Sequence, residues 1–329
     1  MVSEQRIPVT IVGGYLGAGK TTLVNHVLRS SDERIAVIVN DFGEISIDED
    51  LIVAADEDKL TLANGCICCS LADGFAAALN TVRSAEVPPD RLLIEASGVA
   101  DPAQIAAYGH TPGLRLDAVV VLADAEQIRR QANDRWVADT VRQQLAAADL
   151  LVVNKVDLLD DADDLCDWLA ELSATSAIVR ASRAAVPIDV LLGPRSAGDA
   201  ASTRQRPALG AAAAPGSPTA EEFFESQTVV LDAPIAMPVI EALLADLPDG
   251  VARLKGLVQA APPVNAGDAG ETETADATAY LIEAVGKRTS VVPHATDPNQ
   301  PPPQWAVSLI AHKGALPLNW LESGLHPPL

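Results

Sequence analysis

Short apolar, β-branched runs recur along the first part of the chain, at residues 8–12, 34–39, 91–94, 118–122, 150–153 and 177–180. Each is too brief for a helix and most are closed by glycine, asparagine or an acid, so each predicts a buried strand. Between them the apolar positions recur every three to four residues, most clearly at 20–29, 125–147 and 162–172, which predicts helices there. Strands and helices in alternation imply an α/β fold: a doubly wound, mainly parallel sheet covered on both faces. From 193 to 217 the pattern stops; "GPRSAGDAASTRQRPALGAAAAPGS" has no period that could bury a face and reads as a linker. Beyond it, strands are predicted at 227–231, 252–258, 279–285 and 305–310 and a helix at 238–247, with an acidic, small-residue loop over 262–278. The predicted organisation is a first domain over 1–192, a linker over 193–220 and a second, smaller α/β domain over 221–329.

The length of 329 residues is enough for two cores. Against 45 acidic residues stand only 23 basic ones, a net charge of −22, which disfavours nucleic acids and anionic membranes as partners. The apolar runs are far shorter than a bilayer crossing and residues 1–7 have no signal-peptide pattern, so the expected location is cytoplasmic. In a reducing compartment, clustered cysteines point to metal or redox chemistry before a structural disulfide.

"GYLGAGKT", Gly14 to Thr21, stands between the first predicted strand and helix, the context in which a P-loop is credible. Gly14, Gly17 and Gly19 let the backbone turn its N–H groups toward phosphate oxygens, and the helix start adds partial positive charge. Ala18 and Thr22 belong to the same binding segment. Lys20 neutralises the β- and γ-phosphates and is a catalytic candidate, while the Thr21 hydroxyl suits Mg²⁺.

"NKVD", Asn154 to Asp157, follows the fifth predicted strand directly, at the sheet edge where open α/β folds bind ligands. Asp157 can accept hydrogen bonds from both N1–H and the exocyclic amine of guanine, whereas adenine presents an acceptor at N1. Lys155 is expected over the base, and Asn154 is expected to tie this loop to the phosphate loop. GTP or GDP is thus the predicted nucleotide.

Two acidic segments leave neighbouring strands. "VNDFGEISIDED" carries Asp41, Glu44 and Asp48, and "LLIEASGVADP" carries Glu95 with Gly98 beyond it. Glu95 is a candidate Mg²⁺ ligand and catalytic acid, Asp41 or Asp48 is expected to position the attacking water, and the Gly98 amide can meet a γ-phosphate. Between these segments "GCICCSL" places Cys66, Cys68 and Cys69 within four positions; the only other cysteine is Cys166, assigned to packing. Three thiolates can converge on a tetrahedral Zn²⁺ or Co²⁺ and leave a fourth position open, as a carrier requires. The competing readings are buried small hydrophobes or a redox pair formed by Cys66 with one of its neighbours.

In "GGYLGAGKTTLVNHVL", "VNDFGE", "GCICCSL", "IEASGVADP", "QQLAAADLLVVNKVDL" and "VARLKGLVQ" the sequence resembles the CobW-type metallochaperone GTPases, relatives of HypB and UreG. The resemblance implies a P-loop NTPase domain followed by a smaller domain, with GTP hydrolysis coupled to handling zinc, cobalt or related ions. It also implies an apo-metalloprotein client, with the second domain meeting that client or a second subunit in a homodimer. The chain departs from the family in having Asp41 where Glu is usual and in a linker without histidine; His26, His110, His294, His312 and His326 are scattered and read as structural or solvated. Three function classes remain distinguishable. One is a GTPase that times metal delivery; another is a GTP-dependent assembly factor that senses zinc without transferring it; the last is an ATP-dependent kinase on the same loop, against which Asp157 argues.

Overall fold

The computed structural model describes residues 6–40, 61–64, 71–194, 224–261, 278–294 and 304–326. Its contacts divide into two compact units, Glu4–Leu192 and Gly193–Leu329. The predicted linker from residue 195 onward and the acidic loop over 262–277 lie outside the described residues.

In the first unit the strands are β1 (Ile7–Gly14), β2 (Ile35–Asn40), β3 (Thr61–Asn64), β4 (Arg91–Glu95), β5 (Leu114–Asp124), β6 (Leu150–Asn154) and β7 (Ala177–Ala181). They form one sheet in the order β3-β2-β4-β1-β5-β6-β7, with every pairing parallel. Parallel strands covered on both faces must be apolar throughout, and β4 and β6 are buried at every position. The helices are α1 (Lys20–Ser30), α2 (Leu71–Arg83), α3 (Pro102–Ala106), α4 (Ile128–Gln131), α5 (Ala138–Ala146), α6 (Asp163–Leu172) and α7 (Ile188–Leu192). One face of the sheet, with Val9, Ile11, Ile38, Ile94, Val121 and Val153, packs on Leu79 of α2, Leu145 of α5 and Leu169 of α6.

The single helix expected over 125–147 is two. The Asp134 carboxylate accepts the Trp136 N–H at 2.8 Å, and the Asn133 amide donates to the Arg129 carbonyl at 2.8 Å. These side chains offer the backbone a turn in place of the helical ladder, so α4 stops and α5 starts afresh.

At the amino-terminal edge of the sheet lies a buried ionic knot. Arg91, 3% exposed, donates from Nη1 to Asp117 Oδ2 at 2.7 Å, from Nε to Glu33 Oε2 at 3.0 Å and from Nη2 to the Leu192 carbonyl at 2.9 Å. The Thr10 hydroxyl adds a 3.1 Å bond to the same Asp117 oxygen. The guanidinium fork therefore ties β4, β5, the segment before β2 and the end of α7.

On α1, Nε2 of His26 lies 2.7 Å from the Val186 carbonyl, and burial, reinforced by Arg29, lowers its pKa below 6.5 despite that bond. The folded state therefore binds this proton less readily than the unfolded chain, and the stability involved is fully present above pH 6.5 and lost as pH falls toward the depressed value. Urea midpoints measured between pH 7.5 and 5.5 are expected to fall with acidification, and H26Q to flatten that slope. Equal slopes in both proteins would remove His26 as the cause.

The second unit contains β8 (Phe224–Val230), β9 (Ile235–Ala236), β10 (Val251–Ala261), β11 (Thr278–Val285), β12 (Arg288–Pro293) and β13 (Ala306–His312), with α8 (Met237–Ala245) and α9 (Trp320–Leu325); α8 and α9 are its described helices. Its sheet runs β12-β11-β10-β13-β8 with antiparallel pairings, and β9 adds a short parallel pairing to β10. Leu243 of α8 and Leu321 and Leu325 of α9 close one face over Leu254, Val258, Ile282 and Leu309. No described helix is long and apolar enough to cross a membrane.

Candidate nucleotide site

The phosphate loop leaves β1 through Gly14, whose φ is +132° and whose missing Cβ would lie 2.5 Å from the Leu122 carbonyl oxygen of β5. Gly19 closes it with φ +103°, where a Cβ would fall 2.5 Å from Nδ2 of Asn154. No L-residue fits either place without strain. Gly17, with φ +79°, lies between them, and Ala18 is buried. Helix α1 begins at Lys20 with no acid in its first turn, which leaves the positive end of its dipole uncancelled. Nζ of Lys20 reaches back over the loop to 3.5 Å from the Tyr15 carbonyl. The Thr21 hydroxyl donates to Oε1 of Glu95 at 2.8 Å, and Thr22 is exposed on the same turn.

Glu95 is the last residue of β4 and only 2% exposed. A buried carboxylate hydrogen-bonded to a hydroxyl, at the carboxyl edge of the sheet, is a pair of hard oxygen donors that fits Mg²⁺. Gly98 follows in the loop between β4 and α3. There its carbonyl accepts from the Gln144 amide of α5 at 3.1 Å.

Asn154 ends β6 and uses both ends of its amide. Nδ2 donates to the Ala18 carbonyl at 2.8 Å, and Oδ1 accepts the Ala184 N–H at 2.8 Å. One side chain thereby joins the phosphate loop, the base loop and the loop after β7. Lys155 takes a left-handed conformation, φ 66°, and its ammonium bonds Oδ2 of Asp124 at 2.6 Å. Asp157 lies in the 3₁₀ turn Val156–Leu158 and is exposed, free to meet a ligand's polar edge.

The sequence reading missed Asp124, which ends β5 and is buried, although an acid closing the apolar run 118–123 is the same signal that marked Glu95. It also missed Ala184, which acts through a backbone N–H, and the role of Gln144, which stands in the quoted segment 143–158 but bonds backbone carbonyls of a distant loop.

Asp41, Glu44, Asp48, Cys66, Cys68 and Cys69 lie outside the described residues. The strands that lead to them are described: β2 and β3 are parallel neighbours, with Asn40 paired to Asn64 and Val39 paired in turn to Glu95 of β4. Among the described residues no group of three His, Cys, Asp or Glu side chains could hold a metal. Cys166 is buried in α6, where desolvation raises its thiol pKa, as suits a packing residue.

Residues 8–180 match the family described as "CobW/HypB/UreG, nucleotide-binding domain". The chain is 36% identical over 230 residues to the zinc chaperone CobW of Pseudomonas aeruginosa, covering 59% of this chain and 61% of that one. It is 35% identical over 195 residues to the zinc chaperone YjiA of Escherichia coli, covering 56% and 60%. To the zinc-regulated GTPase metalloprotein activator 1 of Saccharomyces cerevisiae it is 34% identical over 194 residues, covering 51% and 45%. In each case the match spans less than two thirds of the relative's own length. Among solved structures, Zn(II)-bound YjiA GTPase from E. coli aligns over 97% of this chain and 98% of that one, at 24% identity and a TM-score of 0.45.

Proposed function

The chain belongs to the CobW/HypB/UreG family, and from that premise we propose that it is a GTP-hydrolysing metallochaperone, with Zn²⁺ or Co²⁺ as cargo and an apo-metalloprotein as client. Phosphates bind along Gly14–Thr22, with Lys20 set against the charge of the β- and γ-phosphates as it shifts toward the leaving group during transfer. Thr21 and Glu95 hold Mg²⁺, which when bound neutralises the β- and γ-oxygens. Asp157 receives the two guanine donors, Lys155 covers the base while Asp124 fixes its ammonium, and Asn154 holds the distance between base loop and phosphate loop. Asp41 or Asp48 orients the attacking water. Cys66, Cys68 and Cys69 carry the cargo ion as thiolates and leave one coordination position for the client's ligand.

The observation that carries this reading is the register of three neighbouring strands. Glu95 is paired with Val39, and Asn40 with Asn64, so the cysteine run begins two residues beyond a strand whose end adjoins the Mg²⁺ candidate through β2. The relatives' descriptions as zinc chaperone and zinc-regulated GTPase metalloprotein activator support the choice of cargo.

Sites that share loops must alter each other's affinity by the same factor, typically about 5- to 150-fold. Zn²⁺ affinity, measured by chelator competition, is expected to differ by a factor in that range between Mg–GDP and a non-hydrolysable Mg–GTP analogue. The triple change C66S/C68S/C69S should abolish the difference. In nucleotide-displacement titrations ATP should compete poorly with GTP, and D157N should relax that preference. Equal zinc affinities in the two nucleotide states would end the coupling, and effective competition by ATP would end the guanine assignment.

A further inference from the structure

The loop between β4 and α3 is held from two sides, and the holding residue on one side, Gln144, stands in the segment 143–158 that leads into the base loop without having been given a role in nucleotide binding. Gln144 of α5 is 2% exposed and donates from Nε2 to two backbone carbonyls, Gly98 at 3.1 Å and Ala100 at 2.8 Å. Its neighbour Gln143 donates to Oδ2 of Asp101 at 2.7 Å, while Oδ1 of Asp101 caps α3 through the Ala103 N–H at 2.9 Å. On the other side, a Cβ at Gly98 would lie 2.4 Å from Cδ2 and 3.0 Å from the backbone nitrogen of Leu16, so this loop and the phosphate loop touch.

Packing alone does not account for a glutamine at this position. Oε1 of Gln144 is buried and meets no donor among the described residues, a penalty that methionine or leucine would avoid while filling the same space. What the amide supplies is orientation. The peptides are trans, so each N–H points opposite to the carbonyl of the residue before it. The Ser97 carbonyl is fixed by the Ala100 N–H at 3.0 Å and the Gly98 carbonyl by Gln144, which sets the peptide planes on both sides of Gly98 and hence the directions of the Gly98 and Val99 amides.

We propose that Gln144 is a positioning residue for GTP hydrolysis: by clipping the Gly98 and Ala100 carbonyls to α5 it presets the amides that this loop offers to the terminal phosphate. The inference rests on the GTPase reading above. GDP lacks that phosphate, so the effect belongs to turnover and not to GDP binding.

The test compares wild type, Q144M and Q144E in steady-state GTP hydrolysis, with GDP affinity measured alongside. Q144M keeps the volume and loses both bonds; its kcat is expected to drop about 10- to 100-fold, the usual cost of a misplaced reacting geometry, with KM and GDP affinity nearly unchanged. In Q144E the ionised carboxylate faces two carbonyl oxygens with nothing to donate, and burial among acceptors raises its pKa. Protonation restores one donor, so turnover of Q144E should rise relative to wild type as pH is lowered from 8 to 6.5. A purely structural role would not produce that rise. A kcat of Q144M within twofold of wild type overturns the proposal, as does a Q144E profile parallel to wild type, which decides the matter if Q144M fails to fold. A wild-type protein that hydrolyses no GTP fails the GTPase reading itself and takes this inference with it.

Discussion

Replacing Lys20 with alanine is expected to lower kcat for GTP hydrolysis by about 10²–10³-fold, the range found when a preorganised partner of transition-state charge is removed. Phosphate release at saturating Mg–GTP measures it. The ammonium already reaches back across the loop, 3.5 Å from the Tyr15 carbonyl, so little rearrangement is needed when the γ-phosphate arrives. GDP affinity should fall less, because GDP lacks the γ-phosphate and the transition state in which charge shifts onto the leaving β-phosphate oxygens. K20R should recover affinity more than turnover, since the guanidinium is planar and wider than the ammonium it replaces. A decrease in kcat below tenfold for K20A would show that another group carries the charge.

The second large effect concerns stability and lies at the opposite edge of the sheet. R91M leaves Asp117 buried without its guanidinium, and breaking a buried pair from one side typically costs about 3–5 kcal/mol. For a unit of this size that corresponds to a fall in Tm of about 6–20 °C. The relevant transition in a calorimetric scan is the one that added Mg–GDP moves upward, since ligand binding identifies the unit. Removing the charge on both sides, as in R91M/D117L, should restore part of the loss, because no buried carboxylate then remains uncompensated. Glu33, about one fifth exposed, can still turn toward water. A change of less than 2 °C in R91M would mean that Asp117 finds other donors.

All six strands expected in the first unit are present, because a strand buried on both faces has nowhere to place polar residues and so announces itself as an apolar run. β3 was illegible: "TLAN" is four residues long, and only its pairing beside β2 makes it a strand. β12 had a signal that went unread. Gly286, φ 53°, and Lys287 form a two-residue turn between Val285 and Arg288, and glycine before a β-branched run is a hairpin mark. α3 likewise carried its cap and its first-turn proline in "DPAQ".

At the site, contiguous motifs pointed to Lys20, Thr21, Glu95 and Asn154, and the structure brings Thr21 against Glu95 and Asn154 against Ala18. The roles of Asp124, Ala184 and Gln144 were hidden because they rest on contacts between distant positions. Each acts on a partner 30 or more positions away, Lys155 at 31, Asn154 at 30 and Gly98 at 46, and no local pattern records such a meeting.

The Asn154 staple has a consequence for direction. Because it fastens Ala18 and Ala184 to one amide, the loops after β1, β6 and β7 are held together as one piece, which on the proposed reading would grip phosphate and base as a single clamp. On that reading, news of a departed phosphate would travel toward the other flank, through the end of β4 to β2 and β3. A protein that needs to tell a charged carrier from a spent one has that side to read.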